Sequence, residues 1–276
     1  MPKNDNMSFW NHLDVLRKVF IRCGAVWLVA AVVAFCFKQQ LFDVIFAPSE
    51  NDFVLYRLMR NLSVAWGIES LYPSDFKALF INTELAAQFI THMQMAAWAG
   101  VVVTMPFIVF ELYRFVEPAL YKNEKRHSVY ALVFGTLLFV CGVLLNYFVI
   151  FPFSFRFLST YQVSAEVVNQ ISLSSYISSF LLLSLLMGVM FEIPLLGLFL
   201  AKMGLISATL LKRYRRHAFV TICVIAAVIT PTGDAITLML VTLPIYLLYE
   251  LTILIVKKKG SGVARYASTD STEKME

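Results

Sequence analysis

The sequence predicts an all-α integral membrane protein in which six transmembrane helices form a bent, concave bundle with both termini in the cytoplasm. Of its 276 residues, 59% are hydrophobic and only 15% are charged. A soluble domain would be about 45–50% apolar. Apolar runs of spanning length recur along the chain, and Lys and Arg are concentrated in alternate connecting segments. The net charge of +5 is scattered over loops, so it does not indicate a nucleic-acid-binding face.

Six apolar runs are candidate spans, because a bilayer core of about 30 Å requires roughly 20 helical residues. They lie at 19–37, 86–110, 129–151, 177–200, 217–230 and 235–256. We therefore expect residues 1–256 to form one membrane domain. The tail at 257–276 is rich in Ser, Thr and charge, so we expect it to be disordered.

The last two candidate spans are short. The purely apolar stretch Ala218–Ile229 gives about 18 Å of helix, and Glu250 limits the apolar part of the sixth span to Ala235–Tyr249, about 22 Å. We expect these helices to thin the bilayer locally.

Basic residues predict the orientation. Eighteen of the 23 Lys and Arg lie in the N-terminal segment, 111–128, 201–216 and the tail, which are the segments predicted to be cytoplasmic. Met1–Arg22 is polar and runs into a full span without a cleavage site, so it predicts a membrane anchor. The four cysteines lie in or beside apolar spans without metal-site spacing and are predicted to be buried hydrophobes.

Two amphipathic helices are predicted outside the spans. The first has an apolar stripe of Phe9, Leu13, Leu16 and Phe20, with Ser8 as a possible N-cap. Its pattern fits a membrane-surface anchor and a receptor surface equally well. The second lies within 53–65, on the opposite side of the membrane. Bends are predicted at five prolines, which are Pro106, Pro152, Pro194, Pro231 and Pro244.

Glu192 lies inside the apolar run Phe180–Leu200 with no basic residue within a helical turn. An ionised carboxylate in hydrocarbon costs at least a few kcal/mol, so this residue is a functional candidate. Either it faces water on the concave side of the bundle, or it hydrogen-bonds Thr91, Gln94 or Thr104 on the second span.

Four segments, in order along the chain, together resemble one family. Asn11–Arg17 reads NHLDVLR, and Phe115–Arg126 reads FVEPALYKNEKR. Met187–Pro194 reads MGVMFEIP, and the stretch from Ile229 to Glu250 begins ITP and ends LYE. These segments are similar to the N-terminal H-L-x-E-L-R signature, the first cytoplasmic loop, the fourth helix and the C-terminal part of the TatC family of twin-arginine protein translocase subunits. The matches extend over about nine-tenths of the chain.

The resemblance implies a receptor of the bacterial inner membrane that is not an enzyme and has no cofactor. TatC proteins bind the twin-arginine signal peptide of folded cargo at the cytoplasmic face. They recruit TatA-type single-span proteins, with TatB-type proteins as further possible partners, for export driven by the proton gradient. Self-association in the complex is also expected. The alternative is an ion-coupled small-solute carrier, although the chain shows no internal repeat of the kind common in carriers.

The resemblance also implies site residues. Glu124 is the expected carboxylate for the signal-peptide arginines, and Phe115, Leu16 and Arg17 carry over to the same surface. The family acid of the N-terminal signature falls on Val15, and the neighbouring Asp14 is rotated about 100° around the helix. Glu117 could compensate from the loop. For Asp14, Glu117 and Glu124 the alternative is charge pairing with neighbouring lysines, which we favour for Glu117 and not for Glu124.

Further positions follow from the same resemblance. Glu192 corresponds to the intramembrane carboxylate of the fourth helix. Asp234, Thr237 and Pro48 are expected to contact a partner helix, and Pro48 is also expected to shape the long outer loop as a cap over the bundle. Asp234 is equally a candidate N-cap for the sixth span, because its turn has one more residue than the family turn. Pro106 and Pro194 are expected to be structural.

Overall fold

The computed structural model describes residues 9–67, 79–116, 127–162, 164, 169–230 and 234–273, and of 9–12, 116, 127–132, 229 and 258–273 it describes the backbone alone. The described chain is almost entirely helical. Its α-helices are α1 (Phe9–Phe35), α2 (Lys38–Phe46), α3 (Val54–Trp66), α4 (Ala87–Val116), α5 (His127–Leu145), α6 (Phe151–Thr160), α7 (Leu173–Met190), α8 (Ile193–Lys202), α9 (Ala208–Arg213), α10 (Arg215–Ile229) and α11 (Ala235–Glu273).

One exception to the predicted all-α class is a pair of two-residue strands. β1 (Phe80–Ile81) pairs in parallel with β2 (Ile171–Ser172). Each strand precedes a spanning helix, α4 or α7. The extended segments before these two helices therefore lie side by side and share backbone hydrogen bonds.

Five stretches within the described residues are long and apolar enough to cross a membrane. They are Leu13–Phe35, Ala87–Phe115, Val133–Thr160, Leu173–Lys202 and Ala235–Lys257. The predicted fifth span at 217–230 is absent from this set. Its helix, α10, has 15 residues, which give about 22 Å at 1.5 Å per residue, less than the bilayer core.

The first two spans are longer than predicted. α1 is one continuous helix, and its span begins at Leu13 instead of residue 19. In the predicted apolar stripe Phe20 is 68% exposed, whereas the neighbouring Val19 is buried. α4 continues to Val116, through the beginning of the predicted loop at 111–128, and accommodates Pro106 in its interior.

The third and fourth spans are interrupted helices. In the third, α5 passes into α6 through a π-helical turn, Asn146–Ile150, and Pro152 follows in the first turn of α6. The fourth breaks between α7 and α8, where Pro194 occupies the first turn of α8. Proline is favoured there, because the first turn has no intrahelical acceptor for its missing N–H.

The last helix, α11, continues to Glu273, beyond the predicted span end at 256. The structure therefore has helical backbone where the composition predicts a disordered tail, and disorder of that tail stays a prediction. The cysteines differ from their predicted burial. All four are free thiols in the described part of the chain, and none is buried. A helix face turned toward lipid is apolar, so it accepts a thiol without burying it in protein.

Close helix contacts form where a glycine faces a neighbouring backbone. An added Cβ at Gly142 of α5 would lie 2.5 Å from the Met187 carbonyl oxygen of α7. At Gly100 of α4, it would lie 3.0 Å from the Ala31 nitrogen of α1. Such small residues let helix backbones approach closely in membranes, where dispersion contacts hold helices together.

The segment Lys38–Trp66, here called the cap segment, packs on one end of the bundle. The buried Tyr56 hydroxyl donates to the Pro152 carbonyl at 2.9 Å. Tyr147 and Tyr176 donate to carbonyls of α2, at Val44 and Ile45. Burial raises the pKa of Tyr56 well above its ordinary value, so its hydroxyl stays a donor. The predicted helix within 53–65 is confirmed as α3.

Candidate functional site

A cavity of about 230 Å³ opens between the N-terminal half of α1 and the C-terminal end of α4. We call it the α1–α4 cavity. Residues from α1 recur at helical spacing on the face toward α4, and α4 contributes its last turn. The lining residues are Val15, Lys18, Val19, Arg22, Glu111, Arg114 and Phe115.

Glu111 is the buried acid of this cavity. Its side chain is 5% exposed, and its Oε2 lies 3.5 Å from Arg22 Nη1, whose side chain is 52% exposed. The same oxygen accepts no hydrogen bond from a described residue, so the contact is an ion pair without hydrogen-bond geometry. The cavity therefore already contains an arginine held against a carboxylate.

Sequence reasoning missed this pair. The two residues are 89 positions apart, and each was assigned to the edge of a different apolar run. A signal was available, since a lone acid and a lone base near the ends of neighbouring spans tend to pair inside a membrane.

The structure describes four of the predicted signal-peptide residues. Phe115 lines the α1–α4 cavity beside Val15, the position of the missing family acid. Asp14 and Arg17 are exposed and Leu16 is half-buried, and none of the three lines the cavity. Glu117 and Glu124 lie outside the described residues.

Glu192 lies at the break between α7 and α8, inside the fourth span. A Cβ added at Gly135 of α5 would meet its Oε2 at 3.3 Å, with Val109 of α4 and Leu195 of α8 at 3.0 and 2.8 Å. The Glu192 Oε2 thus lies close to α5, at a point that Val109 of α4 and Leu195 of α8 also approach. Its Oε1 is buried and has no hydrogen-bond partner among the described residues. A carboxyl group in this setting needs a proton or water.

The two threonines considered as hydrogen-bond partners of Glu192 donate to other acceptors. Thr91 and Thr104 each donate at 2.7 Å to the carbonyl four residues earlier in α4. A helical threonine can satisfy its hydroxyl on its own helix in this way, so it has less need of a distant acceptor. Gln94 lines a separate cavity with Trp98. A water-facing position for Glu192 stays a prediction.

Asp234 caps the N-terminus of α11, because the Thr237 N–H donates to its Oδ2 at 2.7 Å. Thr237 is only 1% exposed and lines a cavity of about 420 Å³ between α6, α7 and α11. Its Oγ1 has no hydrogen-bond partner among the described residues. Pro48 is buried in the 3-10 turn that follows α2. Contact of these residues with a partner helix stays a prediction.

Comparison with known proteins identifies the family. The family model described as "Sec-independent protein translocase protein (TatC)" matches residues 11–244. This chain belongs to the TatC family. A TatC protein of Helicobacter pylori is 39% identical over 246 residues, which cover 89% of this chain and 86% of the relative. The TatCy protein of Bacillus subtilis is 34% identical over 269 residues, which cover 97% and 96%.

A solved TatC structure has a similar fold. The crystal structure of the twin-arginine translocase receptor TatC has a TM-score of 0.71 and 28% identity, covering 89% of this chain and 98% of that chain. A crystal structure of the twin-arginine translocase receptor TatC in DDM has a TM-score of 0.73 and 27% identity, covering 89% of this chain and 99% of that chain. With its five candidate spans, the chain is a multi-pass inner-membrane component of the twin-arginine protein transport system.

Proposed function

We propose that this chain is the core receptor subunit of a twin-arginine translocase. It binds the Arg-Arg signal peptide of folded cargo at the cytoplasmic face and recruits TatA-type subunits, with TatB-type subunits as possible further partners, for export driven by the proton gradient. The family match over residues 11–244 carries the proposal.

The proposed topology has six crossings and two cytoplasmic termini. Five crossings are supported by long apolar helices, and the short α10 would supply the sixth by crossing a locally thinned bilayer. The concentration of Lys and Arg in the N-terminal segment, 111–128, 201–216 and the tail supports the orientation. Labelling with a membrane-impermeant reagent tests it, because a residue of 111–128 labelled from outside the cell would reverse the binding face.

The proposed peptide-binding surface lies around the cytoplasmic ends of α1 and α4. Arginine needs carboxylates with free acceptor positions, since charge-assisted hydrogen bonds to its guanidinium are strong and geometrically selective. Glu111 does not meet this need, because it is buried and paired with Arg22. Glu124 is the main candidate, on the position that the family resemblance implies. Asp14 and Glu117 are secondary acids, and Phe115, Leu16 and Arg17 complete the proposed surface.

Two further roles belong to the proposal. Glu192 acts after signal-peptide binding, as an intramembrane polar site whose surroundings offer it no described hydrogen bond. Asp234, Thr237 and Pro48 contribute to contact with a single-span partner at the end of the bundle where α11 begins. Copies of this chain associate in the working complex.

Signal-peptide crosslinking tests the receptor role. A photoreactive leader peptide with Arg-Arg should crosslink to the full chain, and the same peptide with Lys-Lys should bind more weakly. Glu124→Gln should weaken binding by about 10- to 100-fold, the value of a charge-assisted hydrogen bond. Glu117→Gln is the comparison from the same loop, and it should weaken binding less than Glu124→Gln because pairing with neighbouring lysines is favoured for Glu117. Equal, undiminished binding in both variants would end the assignment to this loop.

An export assay separates the receptor from a small-solute carrier. When the protein is deleted, a folded, cofactor-bearing cargo with an Arg-Arg leader should remain in the cytoplasm. Intact export together with lost uptake of one solute would favour the carrier.

A further inference from the structure

We propose that the α1–α4 cavity binds the phosphate headgroup of an anionic phospholipid. This site goes beyond the proposed receptor function, and neither a signal peptide nor a partner subunit is needed to observe it. Charge, position in the membrane and size each support the same ligand.

The charge of the cavity favours an anion. Lys18, Arg22 and Arg114 carry three positive charges, and Glu111 is the one acid in the lining. Glu111 is paired with Arg22, and neither Lys18 nor Arg114 forms an ion pair with a described residue. The nearby Asp14 is exposed and does not line the cavity. Among the described residues, two cations thus remain without an ion-pair partner, and they favour a phosphate in the cavity.

The position of the cavity is that of a lipid headgroup. Its walls are the first turns of the span Leu13–Phe35 and the last turn of the span Ala87–Phe115. Both walls thus reach the boundary between hydrocarbon and water, where lipid phosphates lie. Basic pockets between spanning helices at this depth are typical sites for anionic headgroups. Val15, Val19 and Phe115 supply an apolar wall beside the cations, suited to the first carbons of the acyl chains.

The size of the cavity suits a lipid headgroup. The cavity has about 230 Å³. This volume equals roughly seven or eight water molecules, so it accommodates a hydrated phosphate group and its ester oxygens.

Native mass spectrometry of the full chain in delipidated micelles tests the site, with phosphatidylglycerol and phosphatidylcholine as probes. The wild-type protein should retain one phosphatidylglycerol about 30-fold more tightly than phosphatidylcholine, since each uncompensated cation contributes about five-fold. The double variant Lys18→Gln, Arg114→Gln should lose this preference. It keeps the Arg22–Glu111 pair, so the packing of α1 on α4 is retained.

A matched double variant controls for total charge. Lys212→Gln, Arg213→Gln removes one exposed lysine and one exposed arginine from α9, away from the cavity, and should bind phosphatidylglycerol within two-fold of the wild type. If both double variants lost phosphatidylglycerol binding equally, net charge alone would explain the effect and the site would be wrong. The site would also be wrong if the wild type retained phosphatidylcholine as tightly as phosphatidylglycerol.

A competition arm distinguishes the lipid from a soluble anion. Inorganic phosphate at millimolar concentration should not displace the bound phosphatidylglycerol, because it lacks the acyl chains that contact the apolar wall. Full displacement would reassign the cavity to free phosphate. Signal-peptide crosslinking of the same variants is scored separately, so failure of the lipid site leaves the receptor proposal intact, and the converse also holds.

Discussion

Replacing Gly142 with alanine tests how closely α5 and α7 are packed. The added Cβ would lie 2.5 Å from the carbonyl oxygen of Met187, and 2.9 Å from both its carbonyl carbon and Cγ of Phe191. Favourable contacts begin at about 3.5 Å, so α7 would have to move by about 1 Å. The obstacle includes backbone, which cannot rotate away as a side chain can. Such overpacking costs about 1–3 kcal/mol.

Gly24→Ala on α1 is the matched control, because nothing lies within 4 Å of its added Cβ. Both substitutions gain about 1 kcal/mol of helix propensity, so the difference in free energy of unfolding between the two variants is the clash alone, about 1–3 kcal/mol. Denaturation of the purified proteins by SDS titration measures this difference. Equal stability of the two variants would refute the packing of α5 on α7. The break that carries Glu192 directly follows α7, so export should also fall in Gly142→Ala.

Three further predictions concern single polar contacts. Glu192→Gln keeps the side-chain volume and removes the ionisable group, so export should be lost while signal-peptide binding is retained. Normal export would show that Glu192 contributes only to packing. Tyr56→Phe should cost about 1 kcal/mol at pH 8 by removing the donor to Pro152. The raised pKa of Tyr56 stabilises the native state below the unfolded pKa of about 10, so this cost should shrink as the pH rises above 10. Thermal unfolding at pH 8 and 11 measures it, and a constant difference would contradict the reasoning. Arg22→Gln should cost about 1–3 kcal/mol, a discounted value because the arginine is half exposed, and adding Glu111→Gln should recover part of it. Additive effects in the double variant would show that the pair is not coupled.

Most of the spanning helices could be predicted from the sequence, because a bilayer imposes a minimum apolar length. The same rule placed Glu192 inside the fourth span and identified α10 as too short. It could not place helix ends, since α1 and α4 continue past the apolar core into amphipathic turns. Nor could it predict the π-helical turn at Asn146–Ile150, which depends on contacts with other helices.

The pairing of side chains between different spans could not be predicted from the sequence. The Arg22–Glu111 ion pair depends on which faces of α1 and α4 meet, and the apolar periodicity of α1 does not identify that face. Asp234 shows the opposite case. Its capping bond to Thr237 is local, so residue type and position in the turn were enough to raise it as an alternative.

Ion pairs between helices distinguish one end of the bundle from the other. At the cap segment, the phenolic hydroxyls of Tyr56, Tyr147 and Tyr176 bind carbonyls of distant helices, and these contacts involve no net charge. At the opposite end, oppositely charged side chains join helices, with Arg22 on Glu111 and Arg215 on Glu250 at 3.5 and 2.7 Å. Dissolved ions screen the exposed pair Arg215–Glu250 more than the pair of Arg22 with the buried Glu111, and they leave the tyrosine contacts nearly unchanged. Raising the ionic strength is therefore expected to weaken the charged contacts first and to leave the cap segment in place.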